Sequence, residues 1–336
     1  MKHLSIVSGC FNEEDNVQEF YDRITHTMRS QLPQYEYEII LIDNASTDGT
    51  VARIRQIAAC DQRVKLIVNN RNFGIVRSGY HAFLQATGDA VIVLVSDLQD
   101  PPEMLPELVR KWEEGYDIAL AQKTQSEEFP LFFLARRAYY ALVNRLSEVN
   151  LIENVTGFGI YDRKVVDEIR RIGDPYPYFR GLICELGFRI ALVPFTQPRR
   201  KRGFSKNSLY TLYDLAMLGI TNHSKIPLRV ATFSGFCLSL FSFLIACVYL
   251  VYKLLFWDSF QLGTAPVVIG LFFFGAVQLF FIGILGEYIG AIYTQVLRRP
   301  PVIERERVNF GPARRSAEVV EQDQEAEDRG VAQQTL

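Results

Sequence analysis

The chain has 336 residues, 49% of them hydrophobic, and a formal charge of −2 at pH 7. That length allows one large domain or two smaller ones, and the near-neutral balance excludes bulk attraction to nucleic acid, so electrostatic binding has to come from local patches. Five scattered cysteines without a CxxC pair, and four histidines without ligand spacing, argue against a zinc centre or a disulfide framework and fit a reducing compartment.

The opening MKHLSIVSGCFNEE has too short an apolar run for a signal peptide, so the N-terminal part is expected in the cytoplasm. Short apolar runs at 3–9, 37–43, 64–69, 90–96 and 117–122 read as strands, and 13–32, 50–60, 75–86 and 103–114 carry helical spacing. Continuous apolar strands alternating with helices predict a mainly parallel α/β sheet covered on both faces. Neither GxGxxG after the first strand nor GxxxxGK[ST] occurs, which disfavours a nicotinamide enzyme or a P-loop ATPase. From about 123 to 206 the pattern loosens into a helix bearing Arg136 and Arg137, the run NVTGFGIYDRKVVDEI, a strand at 188–193 and the basic loop PRRKRGFSKNS.

The domain expected at 1–206 is followed by a Tyr-rich stretch at 207–229, suited to a helix in a membrane interface. Two apolar spans follow, 230–256 with the single charge of Lys253 and 262–285 with none, each longer than the roughly 20 residues that cross a bilayer. Lys225 and Arg229 precede the pair, and Arg298, Arg299 and Arg305 follow it. That charge pattern predicts a multi-pass hairpin in the cell (inner) membrane with both chain ends in the cytoplasm. Residues 286–310 then form a cytoplasmic juxtamembrane segment. The stretch 311–336, with six acids, three arginines and no aromatic residue, forms a disordered tail.

In a parallel sheet the ligand meets the carboxyl ends of the strands. Asp43, opening DNASTDGT, either caps a turn or takes a donor group such as a base N–H, and the residues alone leave both open. Asp97, Gln99 and Asp100 offer hard oxygens suited to Mg²⁺ or Mn²⁺, with a capping turn as the alternative. The run Arg199 to Arg202 with Gly203, Ser205 and Lys206 either attracts anionic lipid or grips a phosphate.

Six stretches in order then carry a resemblance. SGCFNEEDN is similar to P-x-Y-N-E-E, LIDNASTDGT to I-D-D-G-S-x-D-G-T, NRNFG to N-R-N-x-G and SDLQDPPE to D-A-D-L-Q-x-P-P-E. RKRGFSKNS is similar to R-x-x-G-x-S-K-Y-S, and LGEYIGAIYTQVLRRP to L-G-E-Y-I-G-R-I-Y-x-E-x-x-x-R-P. From residue 5 to about 302 the chain resembles the membrane-anchored polyisoprenyl-phosphate glycosyltransferases of family 2, which have the GT-A fold.

The resemblance implies inverting transfer of a sugar from a nucleotide-sugar, expected to be a UDP-sugar, to polyprenyl phosphate at the cytoplasmic leaflet. It also implies a homo-oligomer, a tetramer in relatives. It places Gly9, Phe11, Glu13, Asp43 and Asp97 at the nucleotide, Asp97 and Gln99 on a Mg²⁺ or Mn²⁺ ion, and Arg136, Arg200, Ser205 and Lys206 at the lipid phosphate. Asp97, Arg200 and Lys206 are then the catalytic group.

Three positions depart from the pattern: Gly9 replaces a Pro, Val95 the first acid of the metal turn, and Gly157 an Asp proposed as a base in some relatives. A phosphate acceptor is largely dianionic at pH 7 and needs no base; losing the acid at Val95 is the larger change. Alternatives are a non-catalytic scaffold binding nucleotide-sugar or lipid, and a transferase acting on another acceptor. A different acceptor would want a base, for which Asp162 is available, although its place at a helix start is explained by capping.

Overall fold

A computed structural model of the chain describes residues 1–125, 152–198, 217–221, 224–255, 264–297 and 299–311. The Val- and Ile-rich runs form β1 (His3–Cys10), β2 (Glu36–Asp43), β3 (Val64–Asn69), β4 (Ala90–Val93) and β5 (Ile118–Gln125). Their alternate side chains feed two cores. Ile39 and Leu41 of β2 pack with one cluster, Ile40 and Ile42 with the other, so both faces of the sheet are buried.

On the first face, α1 (Glu14–Gln31) contributes Val17, Phe20, Ile24 and Met28, one helical stripe. Beside it lie α2 (Thr50–Cys60) and α4 (Leu105–Glu113). The second face holds α3 (Ile75–Gln85), α5 (Arg163–Ile172) and α6 (Phe179–Glu185).

The run NVTGFGIYDRKVVDEI splits into β6 (Val155–Asp162) and α5. Asp162 caps that helix by accepting the Lys164 amide at 3.0 Å and also accepts the Trp112 indole N–H at 2.7 Å. The basic region after it begins beyond β7 (Ile190–Thr196).

Two long apolar helices, α7 (Ile226–Leu255) and α8 (Thr264–Leu297), follow. Stretches of them reach mean hydropathies of 1.7 and 1.6, long and apolar enough to cross a membrane. Large side chains such as Phe233 and Leu271 stand more than 70% exposed on them. A surface of that kind is stable against lipid and not against water.

Residues 286–310 hold two surprises. The helix continues to Leu297, and the chain then returns to the sheet as β8 (Glu304–Val308). The eight strands run β7-β5-β6-β4-β1-β2-β3-β8, with β1, β2, β3 and β4 parallel and β6 and β8 antiparallel to their neighbours. Nothing in the local pattern of ERERV marks it as a strand; besides the local Arg307–Glu304 pair, its charges find partners on distant elements. Glu306 takes Arg55 of α2, Glu304 takes His81 of α3 at 2.5 Å, and Asn309 donates to the carbonyls of Ala58 and Val64 at 2.7 and 2.8 Å. Residues 312–336 of the expected tail lie outside the described residues.

Asn309 also adopts φ 61°, a left-handed conformation that Asn tolerates and Ala does not. Asn309→Ala should therefore cost about 1–3 kcal/mol and lower the thermal midpoint of the purified protein by a few degrees. An unchanged midpoint would show that the returning strand adds nothing to the sheet.

Candidate functional site

From β1 the chain steps outward through β2 and β3, then crosses back to lay β4 on the other flank of β1. The carboxyl ends of β1 and β4 thus border the crevice where such sheets receive ligands. Register sets Cys10 directly beside Asp43.

The loops after β1 and β2 clasp each other. The Asn12 amide donates to Ser46 Oγ and the Glu13 amide to Thr50 Oγ1, both at 2.9 Å. In return, the amides of Thr47 and Gly49 donate to Asn12 Oδ1 and Glu14 Oε2, both at 2.8 Å. A Cβ on Gly49 would push the Glu14 carboxylate aside and disturb that last bond.

Asp43 is wholly buried, and its carboxylate accepts both the amide of Ser46, at 2.9 Å, and the Ser46 hydroxyl. Burial raises its carboxyl above the ordinary value, and the Ser46 bonds oppose that. Its charge faces its own turn. Next to it, Asn44 Oδ1 accepts the Phe73 amide at 2.9 Å and Asn69 Nδ2 at 3.2 Å, while Asn44 Nδ2 donates to Asn72 at 2.8 Å. These bonds seat the loop 70–74 against the end of β2. Glu13 is buried and takes Asn16 Nδ2 at 2.6 Å. Phe11 is half-buried. A Cβ on Gly9 would touch only Ile42, at 3.9 Å, so no close approach requires a glycine there. The Cys10 thiol is pushed up to about 12, chiefly by burial, and is no nucleophile.

The strand expected over 90–96 pairs only to Val93. Beyond it the Leu94 amide donates to Val7 O at 3.2 Å and Ser96 Oγ to Gly9 O at 3.0 Å, so the chain is held to β1 while it turns. In that turn Asp97, half-buried, accepts the Gln99 amide at 3.0 Å across Leu98, which is left-handed at φ 64°. Asp100 is buried and accepts the Val95 amide at 3.2 Å. Burial pushes its carboxyl up to about 7, with the Val95 bond and the Lys123 charge opposing and the Asp97 charge adding.

Among the described residues no group of three or more His, Cys, Asp or Glu could hold a metal ion. The turn supplies the Asp97 carboxylate and the Gln99 amide, with Asp100 bound back to the backbone of Val95. Such a donor set fits a hard divalent ion that draws most of its ligands from a diphosphate and water.

Arg136, Arg200, Ser205 and Lys206 lie outside the described residues. The structure adds Lys123 to the site. It sits near the end of β5, where its amide donates to Asn154 O at 2.9 Å and its charge reaches Asp100. A lone Lys closing an apolar strand was its one signal in the sequence. Left-handed Ala45 and Leu98 had none, since neither is a residue type that favours φ near +60°. Gly157 is left-handed too, at φ 96°, a conformation an Asp side chain would strain.

A sequence profile described as "Glycosyl transferase family 2" matches residues 5–170, and one described as "GtrB C-terminal hairpin" matches residues 226–292. The SfII prophage-derived bactoprenol glucosyl transferase of Shigella flexneri is 35% identical over 301 residues, covering 89% of this chain and 96% of that protein. An uncharacterized glycosyltransferase of Bacillus subtilis (strain 168) is 33% identical over 297 residues, covering 88% and 91%. The chain belongs to glycosyltransferase family 2.

Its sheet and flanking helices are the GT-A arrangement of that family, and the glycosyltransferase carries its helical hairpin at the other end of the chain. Two tests of the site follow from its buried carboxylates. Ser46→Ala strips Asp43 of a hydroxyl donor and should destabilise the enzyme by about 1–3 kcal/mol, read by chemical denaturation; a neutral result would mean that Asp43 does not depend on Ser46. The folded enzyme holds the Asp100 proton up to about pH 7, whereas the unfolded chain releases it near pH 4. The native state therefore binds the extra proton, and its stability falls as pH rises from about 4 to about 7. Asp100→Asn removes that decline, so its melting temperature should gain on the wild type between pH 5 and pH 8. Parallel curves would contradict the buried-acid account.

Proposed function

We propose that this glycosyltransferase moves a sugar from a nucleotide-sugar, a UDP-sugar in this reading, to polyprenyl phosphate at the cytoplasmic leaflet of the cell membrane. The observation that carries the reading is its likeness, over nearly the whole chain and including the hairpin, to proteins named bactoprenol glucosyl transferase.

Topology is supported by the sheet itself. Strands before the hairpin and β8 after it are neighbours, which supports a hairpin whose two ends emerge on one side of a membrane. The arginines and lysines flanking it favour the cytoplasm for that side.

In this reaction an oxygen of the dianionic lipid phosphate attacks the anomeric carbon. The bond from that carbon to the nucleoside diphosphate breaks, and the configuration inverts. No proton has to be removed, which fits a site where Gly157 stands in place of an acid and Asp162 is committed to capping α5.

The Asp43–Ser46 turn with Gly9, Phe11 and Glu13 forms the wall for base and ribose. Asp97 lies at the diphosphate, and Arg136, Arg200, Ser205 and Lys206 take the lipid phosphate. Asp97 and Gln99 would hold Mg²⁺ or Mn²⁺, which when bound offsets the charge of the departing diphosphate.

Purified enzyme incubated with polyprenyl phosphate, a panel of radiolabelled nucleotide-sugars and Mg²⁺ or Mn²⁺ should yield labelled lipid, and EDTA should abolish it. Asp97→Asn should lower the rate roughly hundredfold or more. Nucleotide binding without labelled lipid from any donor would overturn the acceptor, and a fully active Asp97→Asn enzyme would overturn the metal assignment.

A further inference from the structure

The helix α8 has 34 residues, about 51 Å at 1.5 Å per residue, against a hydrocarbon layer of about 30 Å. The helix is therefore longer than the layer is thick, and its last third, beyond Leu285, meets the catalytic domain as a stalk. That third carries the polar side chains of the run GEYIGAIYTQ, and two of them reach outward on one face, two turns apart. Tyr288 is buried and its Oη donates to the carbonyl of Ser224 at 2.5 Å, closing the base of the hairpin where α7 begins. Gln295 Nε2 donates to Asp174 Oδ1 at 2.8 Å, reaching the catalytic domain.

Asp174 sits in a stiff bracket. Gly173 ends α5 in a left-handed turn at φ 63°, and Pro175 and Pro177 fix the backbone that follows. Phe179 then anchors the far end, edge-on to Phe83 at 5.3 Å and Tyr161 at 5.5 Å.

The bracket also touches the active-site helix. The oxygen that takes Gln295 accepts the Tyr176 amide at 2.9 Å, and the Tyr176 ring lies 4.8 Å under the guanidinium of Arg77 in α3. That helix starts at the loop which Asn44 seats beside Asp43. A cleft of about 1810 Å³ separates Ile292 and Val296 of the stalk from Leu182 and Leu186 of the domain, so these apolar side chains do not close on one another. Packing therefore contributes little to their relative orientation. Past the stalk only a short run separates Leu297 from β8, where the Asn70 amide donates to Ile303 O at 2.9 Å.

We propose that Asp174 and Gln295 are positioning residues whose hydrogen bond docks the stalk on the catalytic domain and fixes the height and angle at which the site meets a membrane-held acceptor phosphate. The proposal rests on the acceptor reading above. An acceptor anchored in lipid presents its phosphate at a set depth, so a domain free to swing loses effective concentration toward it. A soluble acceptor diffuses to the site whatever the tilt. Asp174 thus acts on one substrate and in one setting.

The test uses the full-length enzyme reconstituted in vesicles. Asp174→Ala and Gln295→Ala should each raise KM for long-chain polyprenyl phosphate in the vesicle roughly tenfold, the loss expected for one hydrogen bond. KM for the nucleotide-sugar, and turnover of a short-chain, water-soluble polyprenyl phosphate, should stay within about twofold. Asp174→Asn, which keeps the accepting oxygen, should restore wild-type behaviour. Equal losses on both acceptors, or no change on the vesicle acceptor, would overturn the proposal. Hydrogen exchange on the same vesicles needs no substrate: the amides of Asp174, Tyr176 and Tyr178 should exchange faster in Gln295→Ala, and unchanged protection there would also sink the dock. A wild-type enzyme that glycosylates neither acceptor would instead overturn the acceptor reading, leaving hydrogen exchange to decide the dock.

Discussion

The clasp between the loops after β1 and β2 is the constraint on which the catalytic end of the sheet depends. Each loop donates amides into side-chain oxygens of the other, through Asn12, Ser46, Glu14 and Thr50, so neither can move alone. The clasp fixes where α1 and α2 start, which sets the helical stripe that buries Val17 and Phe20. It also holds Asp43 inside its turn at the end of β2. The strained, left-handed backbone at Ala45 persists because the clasp over-determines it.

The second organising feature is that the sheet is closed by a strand from beyond the membrane hairpin. Edge strands invite foreign pairing, and β3 is covered by a segment of alternating charge held through Arg55, His81 and Asn309. The hairpin is thereby tied to the catalytic domain by chain on both sides. That gives the stalk of α8 a defined place to dock and relates the site to the lipid surface without extensive packing between them.

Much of this was legible in local sequence. Parallel strands were readable because buried β-strands are continuously apolar, and the hairpin because lipid demands a length and apolarity that no soluble helix needs. Capping at Asp162 was readable from its place before a helical pattern. The length of β4 was not legible, since 90–95 is apolar throughout and only the bonds of Leu94 and Ser96 to β1 reveal where pairing stops. The direction of the Asp43 carboxylate was equally invisible. A strand-ending Asp serves a turn or a ligand with the same residue code, and the choice is made by Ser46 three residues on and the depth of burial.

The sequence by itself determined most of the elements, the order of the motifs and the family, because these rest on composition and spacing within a few turns of chain. Tertiary structure alone decided that residues 304–308 complete the catalytic sheet, that Lys123 joins the turn of Asp97 and Asp100, and that Gln295 meets Asp174. Each of those contacts joins residues that are distant in the chain or lie on different elements. Such pairings are selected by the global packing of the sheet and leave no periodic trace in the residues that make them.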